Sequence, residues 1–209
     1  MKNAVPRVDI KEAAALLKEG KVVVYPTETF FAVGCIVTDV RAIDLVYQAK
    51  RRPSGMPLPV IIGSREQLEL VTAIQSPLVA RLGETFWPGP LSVLVTAAEA
   101  IPAVLTGETG RVAVRLTPHP VAAGLCRASG GALVSTSANV SGRAAVTAAD
   151  QLDPELLELV AGIVELPPAP AGGRPSTLVE VAGPEHVRII RPGAVTETEL
   201  LQAGFEVVL

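Results

Sequence analysis

The chain has 209 residues, of which 49% are hydrophobic and 19% charged, and its formal net charge is −3. That length suits one large domain or two small ones and buries roughly 70% of the unfolded surface, while the apolar content excludes intrinsic disorder. Aromatics at 3% argue against a stacking platform for single-stranded nucleic acid, and the acidic balance gives no bulk attraction to nucleic acid or anionic lipid.

Residues 9–19, DIKEAAALLKE, predict an opening helix with Asp9 as N-cap and Gly20 just past its end. This N-terminal stretch has no continuous apolar core, which speaks against a secretory signal. KVVVY is a short β-branched strand stopped by Pro26. Residues 39–49 return to helical spacing, and PLPVIIG (57–63) reads as a buried strand. Ser64 and Gln67 have the spacing of a capping box, and a further helix is expected around 76–84. Trp87-Pro88-Gly89-Pro90 is expected to form a rigid turn with its Trp on the core. LSVLVT (91–96) and RVAVRL (111–116) are strands, HPVAAGLCRAS a helix. GALVSTSANVSG begins as a strand and ends in small polar residues. Thr147/Asp150 and Thr196/Glu199 are two more capping-box pairs, with strands expected at 177–181 and 187–190.

Interleaved helices and strands predict an α/β fold, and the irregular spacing and length speak against an eightfold barrel. LPPAPAGGRP (166–175) is the most linker-like stretch, but too little follows it for a second domain, so it reads as a surface loop in a single domain spanning 1–209. No apolar run reaches the length of a bilayer span. Glu28 interrupts one region, and Pro88, Gly89, Pro90 and Glu99 break the other. Cys35 and Cys126 form no metal-spaced cluster, which fits a reducing, cytoplasmic setting.

Two candidate loops follow strands, where open α/β sheets bind ligands, and a third ends a helix. Thr27 and Thr29 in Tyr25-Pro26-Thr27-Glu28-Thr29 can orient a small polar ligand; the plainer reading is a turn with Thr29 or Glu28 as a cap. Lys50-Arg51-Arg52-Pro53 at a helix end complements the helix dipole, or else clamps phosphate with one point charge and one planar fork. Ser135-Thr136-Ser137-Ala138-Asn139 is a hydroxyl-and-amide cluster suited to phosphate or ribose oxygens, or an Asx/Ser turn. Arg115 and Arg191 each stand at the end of an apolar strand, placed for an ion pair or an anion. His119 and His186 lack ligand spacing, so no histidine metal site is expected. The phosphate-binding and nucleophile-elbow fingerprints GxxxxGK[ST], GxGxxG and GxSxG are absent from the sequence.

Taken in order, VVVYPTETFFAVGC, KRRP, PLPVII, WPGPLSVLV, RVAVRLTPHP, VSTSANVSG, PSTLVEV and IIRPGAV resemble the Sua5/YrdC/YwlC family of threonylcarbamoyl-adenylate synthases over nearly the whole chain. The resemblance implies a YrdC/RibB-like fold: an open twisted mixed sheet with flanking helices and a concave basic pocket. It implies a nucleotidyltransferase that makes L-threonylcarbamoyl-AMP and pyrophosphate from ATP, L-threonine and bicarbonate. The product feeds N6-threonylcarbamoyladenosine formation in tRNAs reading codons that begin with A, through downstream tRNA threonylcarbamoyl transfer machinery. The KxR and SxN elements fall on Lys50, Arg52, Ser137 and Asn139, with Ser135 beside them and Arg191 facing ATP phosphate. The threonine pocket falls on Thr27, Thr29, Arg115 and Ser176. Mg²⁺ would ride on phosphate oxygens and water, leaving little trace in the sequence.

The chain departs from the family where Phe31-Ala32-Val33-Gly34 replaces Tyr-Gly-Leu-Gly, losing a hydroxyl and a glycine, and where Ile61 replaces the histidine of longer members. It reads as the short form without the additional C-terminal domain. The alternative is a double-stranded RNA or tRNA-binding module using the same basic concavity. Hydrogenase-maturation carbamoyltransferases share a related domain, but they are larger and carry zinc-finger-like cysteine motifs. A purely structural partner protein leaves the ordered set of polar loops unexplained.

Overall fold

The computed structural model describes residues 4–74 and 76–208. The first three residues of the segment read above for a signal lie outside that range.

The opening helix α1 (Ile10–Lys18) is capped reciprocally: the Asp9 carboxylate accepts the Glu12 N–H, and the Glu12 carboxylate accepts the Asp9 N–H. Gly20, at φ 74°, releases the chain in the left-handed turn that a helix end favours. Strands β1 (Val23–Pro26) and β2 (Phe31–Gly34) form a buried antiparallel pair around the PTET turn. Helix α2 (Val40–Ala49), capped by Asp39, leads into the KRRP corner. Next come β3 (Val60–Ile62), a 3-10 turn over Glu66–Leu70, α3 (Pro77–Phe86), β4 (Leu91–Thr96), α4 (Ala103–Thr106) and β5 (Arg111–Leu116). Then follow α5 (Pro120–Ser129), β6 (Leu133–Val134), β7 (Thr136–Ser137), α6 (Pro154–Leu157) and β8 (Gly162–Ile163). The chain closes with β9 (Thr177–Val181), β10 (His186–Arg191), α7 (Glu197–Gln202) and β11 (Glu206–Val208).

The architecture is mixed α/β with open sheets and flanking helices, and the strands divide between two sheets. One has the order β7-β2-β1-β8, the other β11-β10-β9-β4-β5-β3-β6, and both mix parallel and antiparallel pairs. The sheets meet where β6 passes into β7 through Ser135. There the buried Tyr25 hydroxyl of β1 donates to the Val134 carbonyl of β6 at 3.0 Å, and the Val134 N–H donates to Cys35 at 2.9 Å. Apolar side chains of both sheets and of the covering helices form one core, with Trp87 buried in it and its indole N–H on the Leu91 carbonyl.

Two predicted capping boxes do not form. Gln67 instead accepts from the Gly63 N–H and donates to the Cys126 carbonyl, holding the 3-10 turn to α5. The 3-10 turn at Ala149–Gln151 has Ala148 at its head, without a side-chain cap. The Thr196/Glu199 box forms as expected.

Candidate functional site

The first half of the site is built at the end of α2. Lys50 is the C-cap, and Arg51 follows at φ 49°, the left-handed conformation a helix end usually gives to glycine. The Arg51 N–H reaches Gln48 and the Arg52 N–H reaches Tyr47, which completes a Schellman turn. That turn divides the three cations. Arg51 leaves the cluster to pair with Glu155 at 2.8 Å. Arg52 stays with Lys50, close enough for its charge to act on the lysine.

Lys50 is only 3% exposed, and its ammonium donates to the carbonyls of Ser137 at 2.5 Å and Asn139 at 2.9 Å. Burial first, and the charge of Arg52 second, push its pKa down to about 8. The Ser141 N–H returns a bond to the Lys50 carbonyl at 2.8 Å, so the KRRP corner and the STSAN loop are stitched together in both directions. Arg52 donates to the Pro57 carbonyl at 3.0 Å, and its Nε is buried without a partner among the described residues. Asn139 donates through its amide nitrogen to Val140 and Arg143, while its Oδ1 is likewise buried and unpartnered. Ser137 pairs with Ala32 of β2 and is half-buried. Ser135 is buried at the sheet junction with its hydroxyl toward Tyr25.

The second half forms around the PTET turn. Thr27 is buried, its hydroxyl donating to the Phe30 carbonyl at 2.6 Å and lying 3.4 Å from the half-buried Thr29 hydroxyl. Glu28 is no cap. Its carboxylate pairs with Arg115 and accepts the Thr117 hydroxyl at 3.1 Å. Arg115, Ser92, Ser176 and Arg191 lie on or beside adjacent strands of the large sheet. The Ser92 and Ser176 hydroxyls are 3.0 Å apart, and Arg191 donates to the Ser176 carbonyl at 2.8 Å and hydroxyl at 3.3 Å. Burial and the nearby Arg115 charge lower the pKa of Arg191. The predicted surface loop 166–175 is tied over this half: the Ala171 N–H bonds to Glu28, the Gly172 N–H to Thr29, and His119 Nε2 to Pro168 at 2.9 Å.

The structure therefore gathers Lys50, Arg52, Ser137 and Asn139 into one group and Thr27, Thr29, Arg115, Ser176 and Arg191 around another. Arg191 stands in the Arg115 group. Sequence reasoning missed the acidic role of Glu28, and with it Thr117 and Ser92. The signal lay in the spacing: Thr117 is two residues beyond Arg115 and so faces the same way in an extended chain. Among the described residues no group of three or more His, Cys, Asp or Glu could hold a metal ion, and no helix is long and apolar enough to cross a membrane.

A family model described as "Telomere recombination", Sua5_yciO_yrdC, matches residues 15–193. A threonylcarbamoyl-AMP synthase of Bacillus subtilis is 36% identical over 192 residues, covering 91% of this chain and 55% of that protein. One of Alkalilimnicola ehrlichii is 39% identical over 190 residues, covering 91% of this chain and 95% of that protein. The structure of P. abyssi Sua5 complexed with L-threonine matches with a TM-score of 0.85 at 30% identity, over 95% of this chain and 58% of that one. The chain thus spans little more than half of its longer relatives and nearly all of a shorter one. Since the matched residues run from α1 through β10 and take in both halves of the site, the chain belongs to the Sua5/YciO/YrdC family.

Proposed function

We propose that this chain is an L-threonylcarbamoyl-AMP synthase, condensing L-threonine, bicarbonate and ATP with release of pyrophosphate. The observation that carries the reading is the pair of orphaned atoms in the Lys50 cluster. A buried polar group without a partner costs about 1–3 kcal/mol. Arg52 Nε is a donor and Asn139 Oδ1 an acceptor, and both belong to the group that holds the buried Lys50 cation. A nucleotide supplies anionic oxygens for the first and polar hydrogens for the second.

The threonine ammonium and bicarbonate give a carbamate and water, with one proton released to solvent; by way of CO₂ the deprotonated amine adds to carbon and the same proton leaves. A carbamate oxygen then attacks the α-phosphorus of ATP, and pyrophosphate leaves. Both partners are anions, so the main task is positioning and charge stabilisation rather than proton abstraction. Lys50 and Arg52 perform it from one side, with Ser135, Ser137 and Asn139 holding nucleotide oxygens. Thr27, Thr29 and Ser176 hold the polar groups of threonine, and Arg115 its carboxylate. Arg191, beside Ser176, stands where the amino acid meets the phosphates. Mg²⁺ would arrive with the triphosphate, held by its oxygens and water, and add further charge neutralisation. The product is passed to tRNA-modifying machinery, and the cytoplasm is the compartment this reading assigns to the reaction.

The test is pyrophosphate release from purified protein with ATP, Mg²⁺ and bicarbonate, using each amino acid in turn. Threonine-dependent release supports the synthase. Salt-sensitive RNA binding without release overturns it.

A further inference from the structure

Glu28 is the only residue of the PTET turn with a formal charge. Its position is fixed from several directions. One carboxylate oxygen is held by the Arg115 guanidinium and the other by the Thr117 hydroxyl at 3.1 Å. Its own carbonyl accepts the Ala171 N–H at 3.2 Å, which ties its backbone to the 166–175 loop. The pair is not sealed: the Arg115 and Glu28 side chains keep 10% and 17% of their exposure. Across the sheet from Arg115, at the end of β10 and near enough for the two charges to interact, Arg191 is held by Ser176 and forms no ion pair among the described residues. Two guanidiniums therefore face this end of the sheet, with one carboxylate between the PTET turn and β5.

The charge count has a chemical meaning. An amino acid without an ionised side chain is a zwitterion, neutral overall. A guanidinium left alone attracts any anion, and one carrying a second carboxylate more strongly. A fixed carboxylate beside it cancels that excess and repels the additional negative group.

We propose that Glu28 is a specificity-determining residue of the amino-acid subsite, neutralising Arg115 so that a zwitterionic amino acid is accepted and a dicarboxylic one is rejected. The proposal rests on the placement of threonine at Arg115 given above. L-Aspartate is the discriminating probe: it matches threonine in size but carries a carboxylate in place of the hydroxyl and methyl groups. L-Asparagine has nearly the same shape without the charge.

The experiment is calorimetric titration of the full chain, without ATP, using L-threonine, L-aspartate and L-asparagine. Glu28→Gln keeps the shape and an acceptor oxygen but removes the charge. The expected result is a rise of about tenfold or more in the ratio of aspartate to threonine affinity, with the asparagine ratio unchanged. Glu28→Asp, which retains the charge, stays near the wild-type ratio. E28Q/R191Q, which removes one charge of each sign, returns toward it; a purely structural role for Glu28 gives no such rescue. An aspartate ratio within twofold of wild type in a folded E28Q protein overturns the proposal. If E28Q does not fold, Arg191→Gln alone, which leaves the Glu28–Arg115 pair whole, must shift the ratio further against aspartate, and an unchanged ratio there overturns it equally. Wild-type protein that binds asparagine but not threonine sinks the threonine reading and leaves the charge comparison readable.

Discussion

Lys50 and Arg52 are legible in the sequence as two cations flanking one residue at a helix end. Their separation from Arg51 is not, because it depends on a positive φ that no residue type at this position announces. The αL turn costs roughly 1–2 kcal/mol for a non-glycine residue and sends the middle side chain away from the cluster. Lys50→Ala or Arg52→Ala is expected to reduce turnover on the order of 100-fold, by removing charge that is worth most as the transition state forms. Single-turnover kinetics at saturating ATP checks this, and near-normal rates in both variants would place the phosphates elsewhere. The depressed Lys50 pKa adds a pH signature. An unfolded lysine keeps its proton to about pH 10.4. Between about 8 and that value unfolding takes up a proton, so this group makes the fold more stable as pH rises. Binding runs the opposite way, since phosphate needs the ammonium. The KM for ATP is expected to rise several-fold from pH 7 to pH 9, and Lys50→Arg, which stays charged, to flatten the profile. Superimposable profiles would assign the titration to another group. Glu28 escaped sequence reasoning for a different reason: its partner Arg115 is 87 residues away, and only the completed sheet brings them together.

Local chemistry decided most elements. Asp9 and Thr196 cap their helices because each has an acidic partner three residues on and no stronger competitor nearby. Ser64 and Gln67 have comparable spacing, yet Gln67 is drawn to Gly63 and Cys126, a tertiary preference invisible in a window of residues. The strands at 91–96, 111–116 and 177–181 follow directly from their apolar runs. The close approach of β2 to β6 does not. A Cβ on Gly34 would lie 1.8 Å from the Val134 carbonyl oxygen, backbone that cannot step aside without opening the sheet junction. Gly34→Ala is therefore expected to destabilise the fold by about 3 kcal/mol or more. Urea unfolding monitored by circular dichroism measures it, and a loss under 1 kcal/mol contradicts the packing described.

At the scale of the whole molecule, interleaved helices and strands indicated the α/β class, while the division into two sheets came at the single residue Ser135, where the apolar run ends and the chain passes from β6 into β7. The pattern alone could not distinguish a bend from an ending. The consequence of the large sheet's strand order concerns how the chain is made. Strand β9 lies between β4 and β10, but β4 ends at Thr96 and β9 begins at Thr177. During synthesis, at roughly 5–20 residues per second, β4 waits for seconds with one hydrogen-bonding edge bare. Ribosome-bound chains halted with residue 175 just outside the exit tunnel should be cut by protease near β4, whereas those halted with β11 exposed should resist. Equal resistance at both lengths would mean that the edge is covered before β9 arrives. The protein thus commits its central seam late, and its early life depends on whatever shields an unfinished sheet from its neighbours on the same message.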